Sequence, residues 1–280
     1  MHSRTREKDQ MSTTSGVRMR RAAEPTAELS PGARIGLPVL GVAVVIGLWW
    51  LLILIFEIKP ILLPSPLDIV DAFGRQPRYL VEETWVTMVE VLTGFGIAAT
   101  GGLVLAVVLA ASRVLERATL PMLVGLNSVP KVAIIPMLVV WLGFGMTPKI
   151  VLVILICFFP IVVSAMSGLA STPVELGELA RSLSASWWQT YVKVRLPWAL
   201  PQIFVGLKLA ISLAVIGAVV AEIANPSRGL GSVIALSGGS VDTPLAFAAI
   251  VLLAVLSVAL FYLVSALERL LLPWAREIAG

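Results

Sequence analysis

The sequence has few charged residues, a single cysteine and a single histidine. Charged side chains make up 14% of the 280 residues and hydrophobic ones 58%, which is typical of proteins that cross a membrane several times. Cys157 lies inside an apolar run, so one chain can hold neither a disulfide framework nor a cysteine-based metal cluster. His2 lies next to the N terminus, which excludes a histidine-based catalytic centre within the membrane.

The sequence also lacks the short motifs of common hydrolytic and nucleotide-binding enzymes. It contains no GxxxxGK[ST] phosphate loop, no HExxH pair and no GxSxG elbow. We therefore expect no enzyme activity, no catalytic residues, no metal site and no cofactor. If the protein uses ATP, a separate chain must hydrolyse it.

What the sequence has in abundance is long apolar runs. Six of them are long enough to cross a hydrocarbon core of roughly 30 Å at about 1.5 Å per residue. They predict an all-α polytopic membrane protein of about six transmembrane helices, with a lipid bilayer as its surroundings. The runs are residues 35–56, 90–112, 119–142, 148–170, 203–224 and 246–271.

The basic residues predict the orientation of these helices. Residues 1–34 are polar and basic, and such a segment is predicted to be a disordered cytoplasmic tail because it cannot bury enough apolar surface to fold. Because positive charge concentrates on the cytoplasmic side, we expect both termini in the cytoplasm of a bacterial cell. The net charge of +4 follows from this arrangement, and nucleic acid is not an expected partner. The basic residues on this side after the tail are Arg113, Arg117, Arg181, Lys193, Arg195, Arg269 and Arg276.

The segment 57–89 is predicted to be a polar outer loop. Its Pro64-Ser65-Pro66 turn is followed by apolar residues at Leu67, Ile69, Val70 and Phe73, which indicates a short amphipathic helix at the outer interface. Three interpretations remain open: the segment covers the pore, contacts a delivery protein, or is a plain connector.

Two membrane runs carry small residues at every fourth position. Gly94, Ala98 and Gly102 repeat in the second run, and Gly206, Ala210, Ala214 and Ala218 repeat in the fifth. Small residues at this spacing allow close approach of helix backbones. The pattern fits packing within one subunit as well as a subunit interface or a pore wall.

The segment 172–197 is predicted to be a charged helix-turn-helix between two membrane runs. Thr172 to Glu175 resembles a capping box with proline at the first helical position. Ser186 to Gln189 is a second capping box, so the first helix should end near Ser184. Pro197 is expected to end the unit because it lacks an N–H.

The same segment resembles the EAA loop of ABC transporter permeases, whose pattern is E-A-A, a glycine after three more residues, then I-x-L-P. The spacing matches throughout, with Leu179, Ser184 and Val194 as departures. Serine in a left-handed turn costs roughly 1 kcal/mol relative to glycine. The residues at the positions of the pattern, departures included, are Glu178, Leu179, Ala180, Ser184, Val194, Leu196 and Pro197.

Flanking segments resemble the nitrate, sulfonate and taurine branch of these importers, over residues 60–275. They include Leu63-Pro64-Ser65-Pro66, Trp141-Leu142-Gly143-Phe144-Gly145, Pro197-Trp198-Ala199-Leu200-Pro201 and Gly229-Leu230-Gly231. The resemblance implies a type I ABC importer transmembrane domain, with a permease core over residues 90–275 and a coupling loop over 172–197.

The resemblance also implies partners: a separate ABC ATPase, an extracytoplasmic solute-binding protein and a second copy of the permease. The loop would couple the ATPase to the membrane helices, with Glu178 as a polar contact to the ATPase or a charge that favours the helix dipole. The implied solute is small and anionic, of the sulfonate, taurine or nitrate type. Alternatives are a pyrimidine precursor, another small organic solute, or an ion-coupled secondary carrier. The candidate coupling residues are Glu178, Leu179, Ala180, Arg181, Leu183, Ser184 and Pro197.

Polar residues within the membrane runs are the candidates for the translocation path. Lys131 lies near the middle of the third run, where a cation costs about 2.5–3.5 kcal/mol unless it faces protein or water. With Asn127 and Ser128 it either lines a path that favours an anionic solute or has a structural role, in which it pairs with a carboxylate or caps a helix broken at Pro130. Glu222 either contributes to gating or subunit contact, or accepts hydrogen bonds from the Asn225–Gly231 turn.

Overall fold

The computed structural model describes residues 31–274, whose regular structure is helical. The packing described below lies within Trp49–Gly280, one of two units into which the chain divides. A 3₁₀ turn (Lys131–Ile134) separates α4 from α5, and a π-helical turn (Tyr191–Arg195) joins α8 to α9. In order, the helices are α1 (Pro31–Phe56), α2 (Pro66–Arg75), α3 (Pro77–Ala110), α4 (Arg113–Ser128), α5 (Ile135–Leu142), α6 (Met146–Ala170), α7 (Val174–Ser182), α8 (Trp187–Thr190), α9 (Leu196–Ala224), α10 (Leu230–Gly239) and α11 (Thr243–Leu271).

The helices confirm the predicted all-α membrane architecture. Among the described residues, five helices are long and apolar enough to cross a membrane, or six if the bent pair α4 and α5 counts as one span. The fifth predicted run is longer than expected, because α8, the π turn and α9 form one 38-residue span, Trp187–Ala224. The short apolar helix α10 was not predicted.

Two predicted boundaries are wrong. The second membrane helix, α3, begins at Pro77 and not at residue 90. Of the polar residues that suggested a loop, Glu83 and Thr87 are buried inside the bundle, whereas Arg78 and Glu82 are exposed on the same helix. The first helix begins at Pro31, inside the predicted tail of residues 1–34. The prediction of disorder for residues 1–30 and the position of Arg276 lie outside the described residues.

The third predicted span is broken at the expected proline. Pro130 lies between the end of α4 and the 3₁₀ turn, and the two halves meet at 72°. Proline restricts the residue before it to extended geometry, and Val129 adopts ψ of 127°. Lys131 therefore occupies a turn between two short helices.

The predicted amphipathic helix is α2. Ser65 caps it in a capping box with Asp68, and Ile69 and Ala72 are buried while Leu67 and Val70 are exposed. The helix packs against α11, and Arg75 forms an ion pair with Asp242 at 3.5 Å. The segment 57–89 thus consists of a loop, the amphipathic helix α2 and the beginning of the long apolar helix α3.

Helix α6 forms the centre of the bundle and packs between α3 and α9. The small residues make this packing close: a Cβ on Gly94 would lie 2.6 Å from Cγ1 of Val153, and one on Gly102 would lie 3.1 Å from Cγ2 of Ile161. On α9, Gly206 packs in the same way against Ser164. At these positions the two small-residue stripes pack within the chain, which favours the first of the predicted interpretations.

Candidate functional site

The loop between α6 and α9 folds as a helix-turn-helix around a left-handed serine. Ser184 has φ of 54°, the geometry that glycine provides in the family pattern. The Ala185 N–H donates to the Ala180 carbonyl at 3.0 Å, and the Ser184 N–H donates to the Arg181 carbonyl at 2.9 Å. These two bonds form a Schellman motif, so the turn is retained despite the serine.

The predicted N-terminal capping box of α7 is wrong. Pro173 occupies the cap position without a side-chain hydrogen bond. Thr172 is unsuitable as the cap because its Oγ1 donates to the Leu169 carbonyl of α6 at 3.2 Å. The helix therefore begins at Val174, with Glu175 in its first turn.

The second capping box is confirmed, but the predicted end of the unit is wrong. Ser186 N–H donates to Gln189 Oε1 at 2.9 Å, and the Gln189 N–H donates to Ser186 Oγ at 3.2 Å. Pro197 does not stop the helix because it lies in the first turn of α9, where a missing N–H is tolerated. The π turn before it accommodates the proline, and in this turn the Leu196 N–H donates to the Tyr191 carbonyl.

Helix α7 presents part of its apolar stripe to the outside. Ala180 is buried, whereas Leu179 is 57% exposed and Leu183 is 74% exposed. Glu178 and Arg181 are also exposed. Leu179 and Leu183 border a groove of about 320 Å³ between α7 and the start of the next span, so apolar area remains here for a partner to cover.

The structure brings Lys131 and Asn127 together at the broken span. Lys131 Nζ donates to Asn127 Oδ1 at 2.7 Å and to the Asn127 carbonyl at 3.3 Å, which caps a free carbonyl of α4. Ser128 Oγ donates back to the Val124 carbonyl at 3.1 Å. Lys131 is half-buried, Asn127 and Ser128 are exposed, and Lys131 forms no ion pair within residues 31–274.

Glu222 belongs to a different group, inside the bundle. Its side chain is fully buried, Oε1 accepts from Thr87 Oγ1 at 2.7 Å, and Oε2 accepts from the Gly231 N–H at 2.6 Å. The expected hydrogen bond to the Asn225–Gly231 turn is therefore present.

The same group of acceptors satisfies the N terminus of α10. Glu83 accepts from Arg228 Nε at 2.6 Å and from the Gly229 N–H. Thr87 Oγ1 accepts from the Leu230 N–H at 2.8 Å. The first N–H groups of a helix have no partner within it and carry partial positive charge, so buried carboxylates and a hydroxyl are suitable partners.

A buried ion pair completes this group, which we call the buried polar cluster: Glu83, Thr87, Glu90, Lys149 and Glu222, with Arg228, whose side chain is 56% exposed, at its edge. Lys149 and Glu90 lie 3.4 Å apart, with 1% of each side chain exposed. Lys149 Nζ also donates to the Arg228 carbonyl at 2.6 Å. The cluster connects α3, α6, α9 and the start of α10.

Of this cluster, only Glu222 was predicted from the sequence. Glu83 and Thr87 fall in the predicted outer loop 57–89, and Glu90 and Lys149 lie at the starts of the predicted runs 90–112 and 148–170 without a predicted role. One signal was present: Thr87, Glu90 and Gly94 follow at intervals of three and four residues, which places them on one face of a helix. That face continues the small-residue stripe and faces α6 and α9.

Comparison with known proteins agrees with this architecture. The family model described as "binding-protein-dependent transport system inner membrane component" matches residues 98–276. A riboflavin transport system permease protein of Chloroflexus aurantiacus is 34% identical over 89% of this chain and 97% of its own length. A taurine transport system permease protein of Escherichia coli is 28% identical over 84% and 88%.

A solved structure shares the fold. The inward-facing MetNI methionine ABC transporter has a chain that covers 70% of this one and 97% of its own length, with a TM-score of 0.61 at 22% identity. The permease helices, the loop and the sequence matches agree with one another. The chain belongs to the family of inner-membrane components of binding-protein-dependent transport systems, the permease subunits of ABC transporters.

Proposed function

We propose that this chain forms the membrane path of an ATP-driven importer that brings a small anionic solute, of the sulfonate, taurine or nitrate type, into the cytoplasm. The observation that carries the ATP-driven part is the helix-turn-helix of residues 172–197, with its left-handed turn at Ser184 and its uncovered Leu179 and Leu183. As a permease subunit of this family, the chain has no catalytic activity of its own, and a separate subunit hydrolyses ATP.

The exposed side of α7 supports docking to the ATPase. An amphipathic helix that leaves leucines uncovered fits a groove on a partner, and Glu178 lies beside them with its carboxylate exposed. Arg181 adds a positive charge one turn later. Closure of the ATPases would push on α7, and the Schellman turn would pass the movement to the span that begins at Trp187.

Lys131 supports the choice of an anionic solute. Its ammonium is half-exposed in a turn that interrupts a membrane span, and Asn127 beside it adds amide donors. A cation at this depth is stable when it faces water, protein or an anion. Together with Ser128 these residues are our candidates for the translocation path; Glu222 is a less direct candidate because its two oxygens are already bonded.

The relatives keep a second class of solute open. The riboflavin permease is 34% identical to this chain and the taurine permease 28%, so a heterocyclic or other small organic solute, such as a pyrimidine precursor, is the second candidate class. Membership in the binding-protein-dependent family contradicts the alternative of an ion-coupled secondary carrier.

The proposed assembly contains two copies of this chain, two ATPase subunits and an extracytoplasmic solute-binding protein. The chain is a multi-pass membrane protein, and we propose that its loop and both termini face the cytoplasm. The exposed face of α2, with Leu67 and Val70, would lie at the opposite surface.

Copurification tests the proposal. The tagged chain, solubilised in a mild detergent, should bring an ABC ATPase with it. Glu178→Ala should weaken the association, and Leu179→Asp with Leu183→Asp should abolish it, because two charges would enter an apolar contact. Val174→Asp is the matched control, since Val174 is 68% exposed on another face of the same helix.

The proposal is contradicted if no ATPase copurifies with the wild-type chain. It is also contradicted if the Leu179 and Leu183 variant retains the ATPase fully. Retention by the Val174→Asp control, which adds a charge on the side of α7 that carries Glu178, shows that the loss in the double variant comes from the side of Leu179 and Leu183. Each variant must remain membrane-inserted and monodisperse, so that loss of the ATPase is not a consequence of misfolding.

A further inference from the structure

A second pocket on the loop combines positive charge with an aromatic wall. It encloses about 410 Å³ between α7 and the start of the next span, and Arg181, Trp187, Tyr191 and Arg195 contribute to its walls. The rings of Trp187 and Tyr191 stack with their centroids 5.2 Å apart. Tyr191 is buried and its hydroxyl donates to the Val107 carbonyl of α3 at 3.4 Å, so the bundle holds this wall in place.

The two arginines retain donors that point to a ligand. Arg181 Nε donates to the Gly177 carbonyl at 3.4 Å, and neither Arg181 nor Arg195 forms an ion pair with a carboxylate of the described part of the chain. A guanidinium has five N–H donors and binds phosphate in a bidentate manner. Two guanidiniums at one pocket therefore favour a phosphate group.

The pocket lies where an apolar span begins. The 38-residue span starts at Trp187, and Trp187 and Trp188 are 57% and 65% exposed. Exposed tryptophans at the end of a span are typical of the membrane interface. Basic residues at this level on the cytoplasmic side attract anionic lipids.

We propose that this pocket binds the headgroup phosphate of an anionic phospholipid of the cytoplasmic leaflet, with Arg181 and Arg195 on the phosphate and Trp187 against the glycerol and upper chain. The leaflet rests on the proposed function, which places the loop in the cytoplasm. The lipid would occupy the space between α7 and the span that α7 is proposed to move.

Titration with a soluble short-chain lipid tests the proposal. The full chain, with any subunits that copurify, is titrated with dihexanoyl phosphatidylglycerol in phosphate-free buffer, and bound lipid is counted by native mass spectrometry. We expect its Kd to be at least about tenfold lower than that of dihexanoyl phosphatidylcholine or inorganic phosphate. Arg181→Ala with Arg195→Ala should raise the Kd by about tenfold or more, because hydrogen bonds to charged groups are lost.

Lys193→Ala is the matched control, because Lys193 is an exposed cation of the same loop that lines the other groove. We expect its Kd to stay within about twofold of wild type, since it removes the same charge but no pocket donor. Arg195→Lys should fall between wild type and the double variant, since lysine binds phosphate as a point charge.

Four results would overturn the proposal. Equal binding of phosphatidylcholine, which has the same phosphate but a zwitterionic headgroup, removes the preference for an anionic lipid. Unchanged binding by the double arginine variant removes the two arginines as the phosphate ligands. Equally tight inorganic phosphate identifies a soluble anion and not a lipid. Lipid that binds only after an ATPase chain is stripped away assigns the pocket to the subunit interface. The ATPase is scored in the same samples, so its absence counts against the proposed function and the lipid titration still reports on the pocket.

Discussion

Replacing Lys149 by methionine should be the most damaging conservative change in the bundle. The Lys149 ammonium lies 3.4 Å from Glu90, and both side chains are 1% exposed. Within residues 31–274, neither Glu90 oxygen has a hydrogen-bond partner, and Lys149 is the only residue there that forms an ion pair with Glu90. Removal of one member of a buried pair leaves an uncompensated charge and costs about 3–5 kcal/mol.

The expected shift is large enough to measure. For a chain of this size, about 1 kcal/mol corresponds to roughly 2–4 °C in Tm, so Lys149→Met should lower the apparent Tm in detergent by about 6–20 °C. Lys208→Met is the matched control because Lys208 pairs with Glu268 at 2.8 Å, but with 23% and 22% of the side chains exposed. The more solvated pair should contribute about 0–1 kcal/mol.

The double variant separates pairing from packing. Adding Glu90→Leu to Lys149→Met removes the stranded charge and should restore most of the loss, because an apolar pair of similar volume often replaces a buried ion pair without penalty. About 1 kcal/mol should remain missing because the hydrogen bond to the Arg228 carbonyl is gone. A single variant that loses less than about 2 °C, or a double variant no more stable than the single one, would refute this reasoning.

Three further outcomes are expected. Ser184→Gly should raise the apparent Tm by about 2–4 °C, because it relieves roughly 1 kcal/mol of left-handed strain; an unchanged or lower Tm would contradict the turn geometry. Gly94→Ala should destabilise by about 1–3 kcal/mol through its overlap with Val153, whereas Gly96→Ala, with nothing within 4 Å of its Cβ, should be neutral or stabilising in the same thermal assay. Lys131→Met should reduce uptake of an anionic solute into proteoliposomes more than uptake of a neutral one, and equal reduction would assign the lysine a structural role only.

The sequence predicted the loop well because its determinants are local. A capping box and a left-handed position depend on residues within about six positions of each other, so Ser186 and Ser184 could be interpreted without tertiary contacts. The failure at Thr172 has the opposite origin. Its hydroxyl can form a hydrogen bond either at the N terminus of α7 or at the end of α6. In the structure it donates to the Leu169 carbonyl at the end of α6.

The broken span was predictable for a similar reason. Proline acts on its immediate neighbours, so Pro130 marked the break. Whether Lys131 would find a carboxylate or a carbonyl could not be read from the sequence, because both partners are compatible with the spacing. Lys131 bonds to Asn127, four residues earlier. This local hydrogen bond could be recognised only once the 3₁₀ turn was known.

The start of α3 could not be predicted from hydropathy, and the reason lies in the buried polar cluster. Glu83 and Glu90 lower the apolar character of the segment, so a window that counts charges assigns it to a loop. The charges are tolerated inside the bundle because each carboxylate has a basic partner. Arg228, in the α9–α10 turn, pairs with Glu83 and lies 145 positions later in the chain. Lys149, on α6, pairs with Glu90 and lies 59 positions later. In the sequence, a carboxylate whose partner lies that far away cannot be distinguished from an exposed one. The acidic residues that pack inside the bundle are therefore also the residues that made the start of α3 look like a loop.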